Sequence, residues 1–121
     1  MAQLHGIFVL AEAGLLNGIR ATTHWAFADL LRRRYAQALL DEAATLFLSG
    51  EPETARLVLR DLVNATVGFE TLADLTHKPS KSLHRMLSPK GNPSMDNLAA
   101  IFAAIKNWLQ VRFDVRVVAA T

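Results

Sequence analysis

From Leu39 onward, apolar residues recur at the three- and four-residue spacing of amphipathic helices. Leu39, Leu40, Ala43, Leu46 and Phe47 fall on one face, and Gly50 interrupts the run. Glu51-Pro52-Glu53 opens the next helix, because proline at a first helical position loses no hydrogen bond and carboxylates suit the positive end of the helix dipole. Ala55, Val58, Leu59, Leu62 and Val63 form its apolar stripe. Two short helices follow: Phe69 to Thr76, with Leu72 and Ala73 inward, and Ser80 to Leu87, with Leu83, Met86 and Leu87 inward. The connection between them, His77-Lys78-Pro79, is tight enough for a helix-turn-helix. Pro89 to Pro93 reads as a loop, and Ser94 as the N-cap of a last helix. On that helix Leu98, Ile101, Phe102, Ile105, Trp108 and Leu109 keep the period, which places Trp108 in the core.

The two ends of the chain differ from this middle. Ile7, Phe8, Leu10, Ala11, Leu15 and Leu16 predict a short helix closed by Asn17-Gly18. An extended piece from Arg20 to Trp25 and a helix from Phe27 complete the N-terminal part. At the C-terminus Val111, Phe113, Val115 and Val117 alternate with Arg112, Asp114 and Arg116, the pattern of a half-buried strand. Such a strand needs a partner for its backbone, from the N-terminal piece or from a second chain. The expected fold is therefore all-α, a compact helix-turn-helix bundle of about five helices with a short C-terminal β-strand. A change of character near Tyr35 divides the chain into an appendage, 1–36, and a helix-turn-helix domain, 37–121.

Composition narrows the chemistry. With 121 residues, half of them apolar, the chain suits one compact core. The absence of cysteine excludes a disulfide framework, a thiolate metal site and a cysteine nucleophile, and fits a reducing compartment. Four scattered histidines lack the paired spacing of a zinc helix, so no metal and no cofactor is expected. The apolar run from Gly6 to Leu16 is interrupted by Glu12 and falls short of the about 20 residues a membrane span needs, and no Lys or Arg precedes it as in a secretory signal. A cytoplasmic protein without a membrane partner is the expectation.

A net charge of +2 says little by itself, but its distribution says more. No acidic side chain lies between Leu75 and Met95, where Lys78, Lys81, Arg85 and Lys90 fall together with His77 and His84. With Leu83, Met86 and Leu87 inward, Lys81, His84, Arg85 and Ser88 occupy the other side of the short helix. Ser80-Lys81-Ser82 sets free N–H groups and small hydroxyls at its first turn, a combination that suits phosphate or base edges. Arg85 is the candidate for base readout, since a guanidinium can bind guanine at two atoms, and Lys78 and Lys90 are candidates for phosphate contacts. The alternative is a short helix with ordinary solvated charges. Arg32, Arg33 and Arg34 pose the same choice between a solvated helix end and a phosphate-contacting patch.

The stretch FETLADLTHKPSKSLHRMLSPKGNPSMDNLAAIFAAI resembles the helix-turn-helix of HigA-like addiction-module antitoxins, a branch of the Xre-type regulators. The resemblance covers roughly Leu39 to Val118 and is most specific over SLHRMLSPKGNPSMDNLAAIF. It implies a homodimer that binds double-stranded operator DNA, represses its own operon and, in many members, neutralises a RelE-like or HigB-like toxin. It also implies DNA contacts at Ser80, Lys81, Ser82 and Arg85, with Lys90 and Asn92 contributing from the loop. Where that family's turn usually has glycine, this chain has His77, which is strained if the position takes a positive φ. The segment GIFVLAEAGLLNGIRATTHW resembles a fragment of the PfpI-type amidotransferase-like domain of some AraC-family regulators; that family's cysteine falls at Leu4, leaving no nucleophile.

Three classes of function follow. One is an autoregulatory DNA-binding antitoxin, and another is a protein-interaction module that neutralises a toxin or dimerises, without useful DNA affinity, through the apolar N-terminus and the 111–118 strand. The third is a hydrolase or amidotransferase dependent on Ser82 or His84, for which no third group is identifiable to orient the histidine. His24, beside Trp25 in the expected extended piece, reads as a packed or edge residue rather than a ligand or base.

Overall fold

A computed structural model of the chain describes residues 17–121 and contains five α-helices among them: α1 (Asn17–Leu48), α2 (Pro52–Ala65), α3 (Gly68–Thr76), α4 (Ser80–Met86) and α5 (Met95–Leu109). The helix expected over Gly6 to Leu16, and Leu4, lie outside the described residues. The chain divides into two compact units, one ending at Arg34 and one comprising Tyr35–Thr121.

In the first unit the expected extended piece is not formed. Arg20 to Trp25 belong to α1, and Asn17-Gly18, read as a helix stop, are the first residues of that helix. No glycine or proline occurs from Ile19 to Ser49 and alanine and leucine dominate, which favours one continuous helix there. His24 and Trp25 consequently sit on a helix, and both are exposed. Arg33 donates to Asp29 one turn earlier at 3.0 Å, a solvated pair, and Arg32 and Arg34 are exposed.

The second unit holds the core. Leu40 and Ala43 of α1, Leu59, Leu62 and Val63 of α2, Leu72 of α3, Leu83 of α4, Leu87 just beyond it, and Ile101 and Ile105 of α5 form one buried cluster. These are the positions that the apolar spacing picks out. The cluster is centred on α3, which packs against α2, α4 and α5. Chain punctuation explains the element ends. Gly50 takes φ +83 after α1, a conformation that only glycine adopts freely, and Pro52 is the first residue of α2. Ser94 caps α5 by accepting a bond from the Asn97 amide at 3.1 Å.

Two expectations for the C-terminal part are corrected. Trp108 is 49% exposed, because its neighbour Leu109 takes the inward position at the end of α5. The expected strand is absent: residues 111–121 have no regular secondary structure, and the backbone of 112–121 makes no hydrogen bond to a described residue. Among the described residues no second segment offers it a ladder to join. Gln110 ends α5 in the left-handed conformation, φ 57, and the tail then turns Phe113 edge-on to Phe102, with ring centroids 5.7 Å apart.

Candidate nucleic-acid interface

The candidate interface begins at the turn between α3 and α4. Thr76 closes α3 with a hydroxyl bond to the Leu72 carbonyl, and His77 follows in the left-handed region at φ 56, ψ 37. The positive φ on which the strain at His77 depends is therefore present. The His77 and Lys78 amides both return to the Ala73 carbonyl, the latter at 3.2 Å, so the helix end is satisfied. Pro79 is extended, and its carbonyl accepts the Leu83 amide, starting α4.

Helix α4 spans Ser80–Met86, with Leu87 as its C-cap, one residue shorter than the apolar pattern suggests. Leu83 and Leu87 are fully buried and Met86 is partly buried against the core, which sets the orientation of the helix. Lys81, His84 and Arg85 are exposed, whereas Ser80, Ser82 and Lys78 are half-buried. Lys81 and Arg85 lie one turn apart and so share a face. His84 differs from them. Its ring stacks on Phe69 of α3, with centroids 3.8 Å apart and planes 19° apart, so one face of the imidazole is committed to holding α4 on α3.

The loop after α4 is brought onto the end of that helix. Gly91 donates its amide to the Ser88 carbonyl at 2.9 Å, and its α-carbon lies so close to the Arg85 and Met86 carbonyls that an added Cβ would collide with both. This close approach places Lys90 and Asn92, both exposed, beside the C-terminal turn that carries Arg85.

What fixes the loop is a residue that the sequence did not single out. Arg56 of α2 is 7% exposed; its Nε donates to the Ser88 carbonyl at 3.2 Å and an Nη donates to the Pro89 carbonyl at 3.0 Å. A guanidinium can bridge two successive carbonyls because its donors form a rigid fork. The signal was available: Arg56 is spaced three residues from Leu59 and seven from Val63, on the buried side of α2.

No family model, curated protein or solved structure matches the chain. The site is therefore read from its own geometry. Two cationic side chains on one face of a short helix, with a lysine and an asparagine held against its end, form a positive surface free of carboxylates from Leu75 to Met95. Such a surface can neutralise phosphates and present hydrogen-bond donors to base edges. Among the described residues no group of three histidines or carboxylates is placed to hold a metal ion, and no helix is long and apolar enough to cross a membrane.

Proposed function

We propose that the chain is a sequence-specific DNA-binding regulator that enters the major groove with α4 and acts as the antitoxin of a toxin-antitoxin operon, repressing its own promoter. The observation that carries the reading is the carboxylate-free surface of α4 and its loop, in which buried Leu83 and Leu87 leave Lys81 and Arg85 facing water and Arg56 holds the loop with Lys90 and Asn92 alongside. In this reading Arg85 reads a base pair and Lys81 and Lys90 contact phosphates, with Ser80 and Ser82 supplying amides and hydroxyls at the helix start. Lys78 is a weaker phosphate contact because it is half-buried. His84 serves chiefly to fix α4 through its stack on Phe69.

The antitoxin role and a RelE-like or HigB-like toxin as partner are supported by the resemblance of the α3 to α5 sequence alone. A two-fold dimer with its α4 helices about 34 Å apart would match successive major grooves. The test is selection of bound duplexes from a randomised library with the full chain, followed by titration of the best duplex over a range of salt. Arg85→Ala is expected to lose about 1–3 kcal/mol of discrimination at one base pair. Lys81→Ala and Lys90→Ala are expected to lower affinity on all sequences and to reduce the salt slope by about one each. Failure to enrich any duplex, or normal binding by the Lys81→Ala, Arg85→Ala double variant, refutes the assignment.

A further inference from the structure

The C-terminal tail carries an unusual combination: an alternating sequence, no regular secondary structure, and, from 112 on, a backbone with no hydrogen-bond partner among the described residues. Its two sides are chemically distinct. On one side Arg116 donates to Asp114 at 3.2 Å, as side chains two apart on an extended backbone can. On the other side Phe113 meets Phe102, while Val115 is 65% and Val117 99% exposed. Apolar side chains in water beside a row of free N–H and C=O groups form a template for another strand.

We infer that this strand is the same tail of a second copy, paired antiparallel with Val115 facing Val115 across a two-fold axis. The charges select this arrangement. With Val115 at the centre, Asp114 of each copy lies opposite Arg116 of the other, twice over by symmetry. Phe113 then faces Val117, so the apolar residues share one side of the ribbon. Shifting the register by two residues toward the N-terminus sets Asp114 against Asp114 and Arg112 against Arg116; shifting it two toward the C-terminus sets Arg116 against Arg116. A shift by one mixes apolar and charged residues on each side. A parallel pairing in register stacks every charge on its like. A register centred on Phe113 also sets Asp114 against Arg112 of the other copy, but it draws in residues already committed to the end of α5: Gln110 is left-handed, the Val111 amide bonds the Lys106 carbonyl, and Phe113 packs on Phe102. The Val115 register is the self-complementary one centred clear of those contacts, and self-complementarity is what an isologous interface requires.

The pairing converts this backbone into a ladder and forms a strand that the described residues of one copy do not form. It does not rest on DNA binding, and it is tested without DNA. The full chain contains no cysteine, so introduced cysteines report proximity directly. Under mild oxidation Val115→Cys is expected to give a covalent dimer, because directly opposed positions bring Cβ atoms within about 5 Å. Arg112→Cys and Val118→Cys, each about 20 Å from its own counterpart in this register, are expected not to. In sedimentation equilibrium, Asp114→Arg or Arg116→Asp alone is expected to weaken the dimer about tenfold or more, since each turns two attractive cross-strand pairs repulsive. The two changes together restore the pairs and are expected to return the dissociation constant to within about threefold of the original. Helical circular dichroism of each variant verifies that the helices are intact. A monomeric parent chain, cross-linking at 112 or 118 as efficient as at 115, or failure of the double exchange to restore the dimer overturns the inference.

Discussion

His77 offers the sharpest quantitative test of the turn before α4. Its φ of 56 and ψ of 37 lie in the left-handed region, where a Cβ crowds the following carbonyl at a cost of about 1–2 kcal/mol. Histidine tolerates this region better than most residues, which puts its cost near the lower end, about 1 kcal/mol. Glycine removes the crowding but gives back about 0.4–1 kcal/mol through the greater freedom of its unfolded chain. The His77 imidazole is exposed and makes no hydrogen bond, ion pair or ring contact with a described residue, so little is lost with it. His77→Gly is therefore expected to stabilise the fold by up to about 0.6 kcal/mol, whereas at an ordinary helical position the same change would destabilise it. At a typical urea m-value of about 1.5 kcal/mol/M the midpoint would rise by up to about 0.4 M without a change of slope. His77→Val is the opposing control, expected to cost about 1 kcal/mol or more, because a β-branched residue is a true outlier at positive φ. Urea denaturation followed by helical circular dichroism measures both. A destabilised His77→Gly chain, or a neutral His77→Val, would refute the assigned turn geometry.

Other substitutions probe the supports of the interface. Gly91→Ala forces a Cβ against the Arg85 and Met86 carbonyls; it is expected to cost about 1–3 kcal/mol in urea denaturation and to weaken duplex binding with Lys81 and Arg85 intact. Arg56→Lys replaces a fork by a point charge and cannot hold the Ser88 and Pro89 carbonyls equally well; a loss of about 1–2 kcal/mol is expected, with faster hydrogen exchange at the Gly91 amide. Unchanged exchange there would mean that Arg56 does not hold the loop. Ser94→Ala removes the side-chain cap of α5 and is expected to cost about 1 kcal/mol, read as a lower thermal midpoint.

The helices that carry the candidate site were legible in the sequence because their boundaries are local. Pro52, Gly50 and Ser94 act within one turn of themselves, and apolar spacing alone identified Leu59, Leu72, Leu83, Leu87, Ile101 and Ile105 as inward. The acid-free stretch holding Lys81, Arg85 and Lys90 needed only the order of residues. Errors arose where a local preference met a longer-range constraint. The extended piece expected over Arg20 to Trp25 falls within one uninterrupted helix, α1, and the stripe that includes Trp108 ends inward at Leu109 instead. The alternation of the tail reads as a strand, but a strand is a property of two segments, and the described residues supply only one.

The sequence by itself determined the helical periods, the turn signals and the charge imbalance around α4, since all of these are set by residues within a few positions of one another. Only the tertiary structure decided that Arg56 reaches the carbonyls of Ser88 and Pro89, that Gly91 lies against the end of α4, and that His84 gives a ring face to Phe69. The first and last of these join residues 15 to 33 positions apart, and the Gly91 contact depends on how the chain turns after α4. Hydrogen-bond forks, backbone approach and ring stacking act over a few ångströms of space, and the separation in space of such residues is settled only when the core closes.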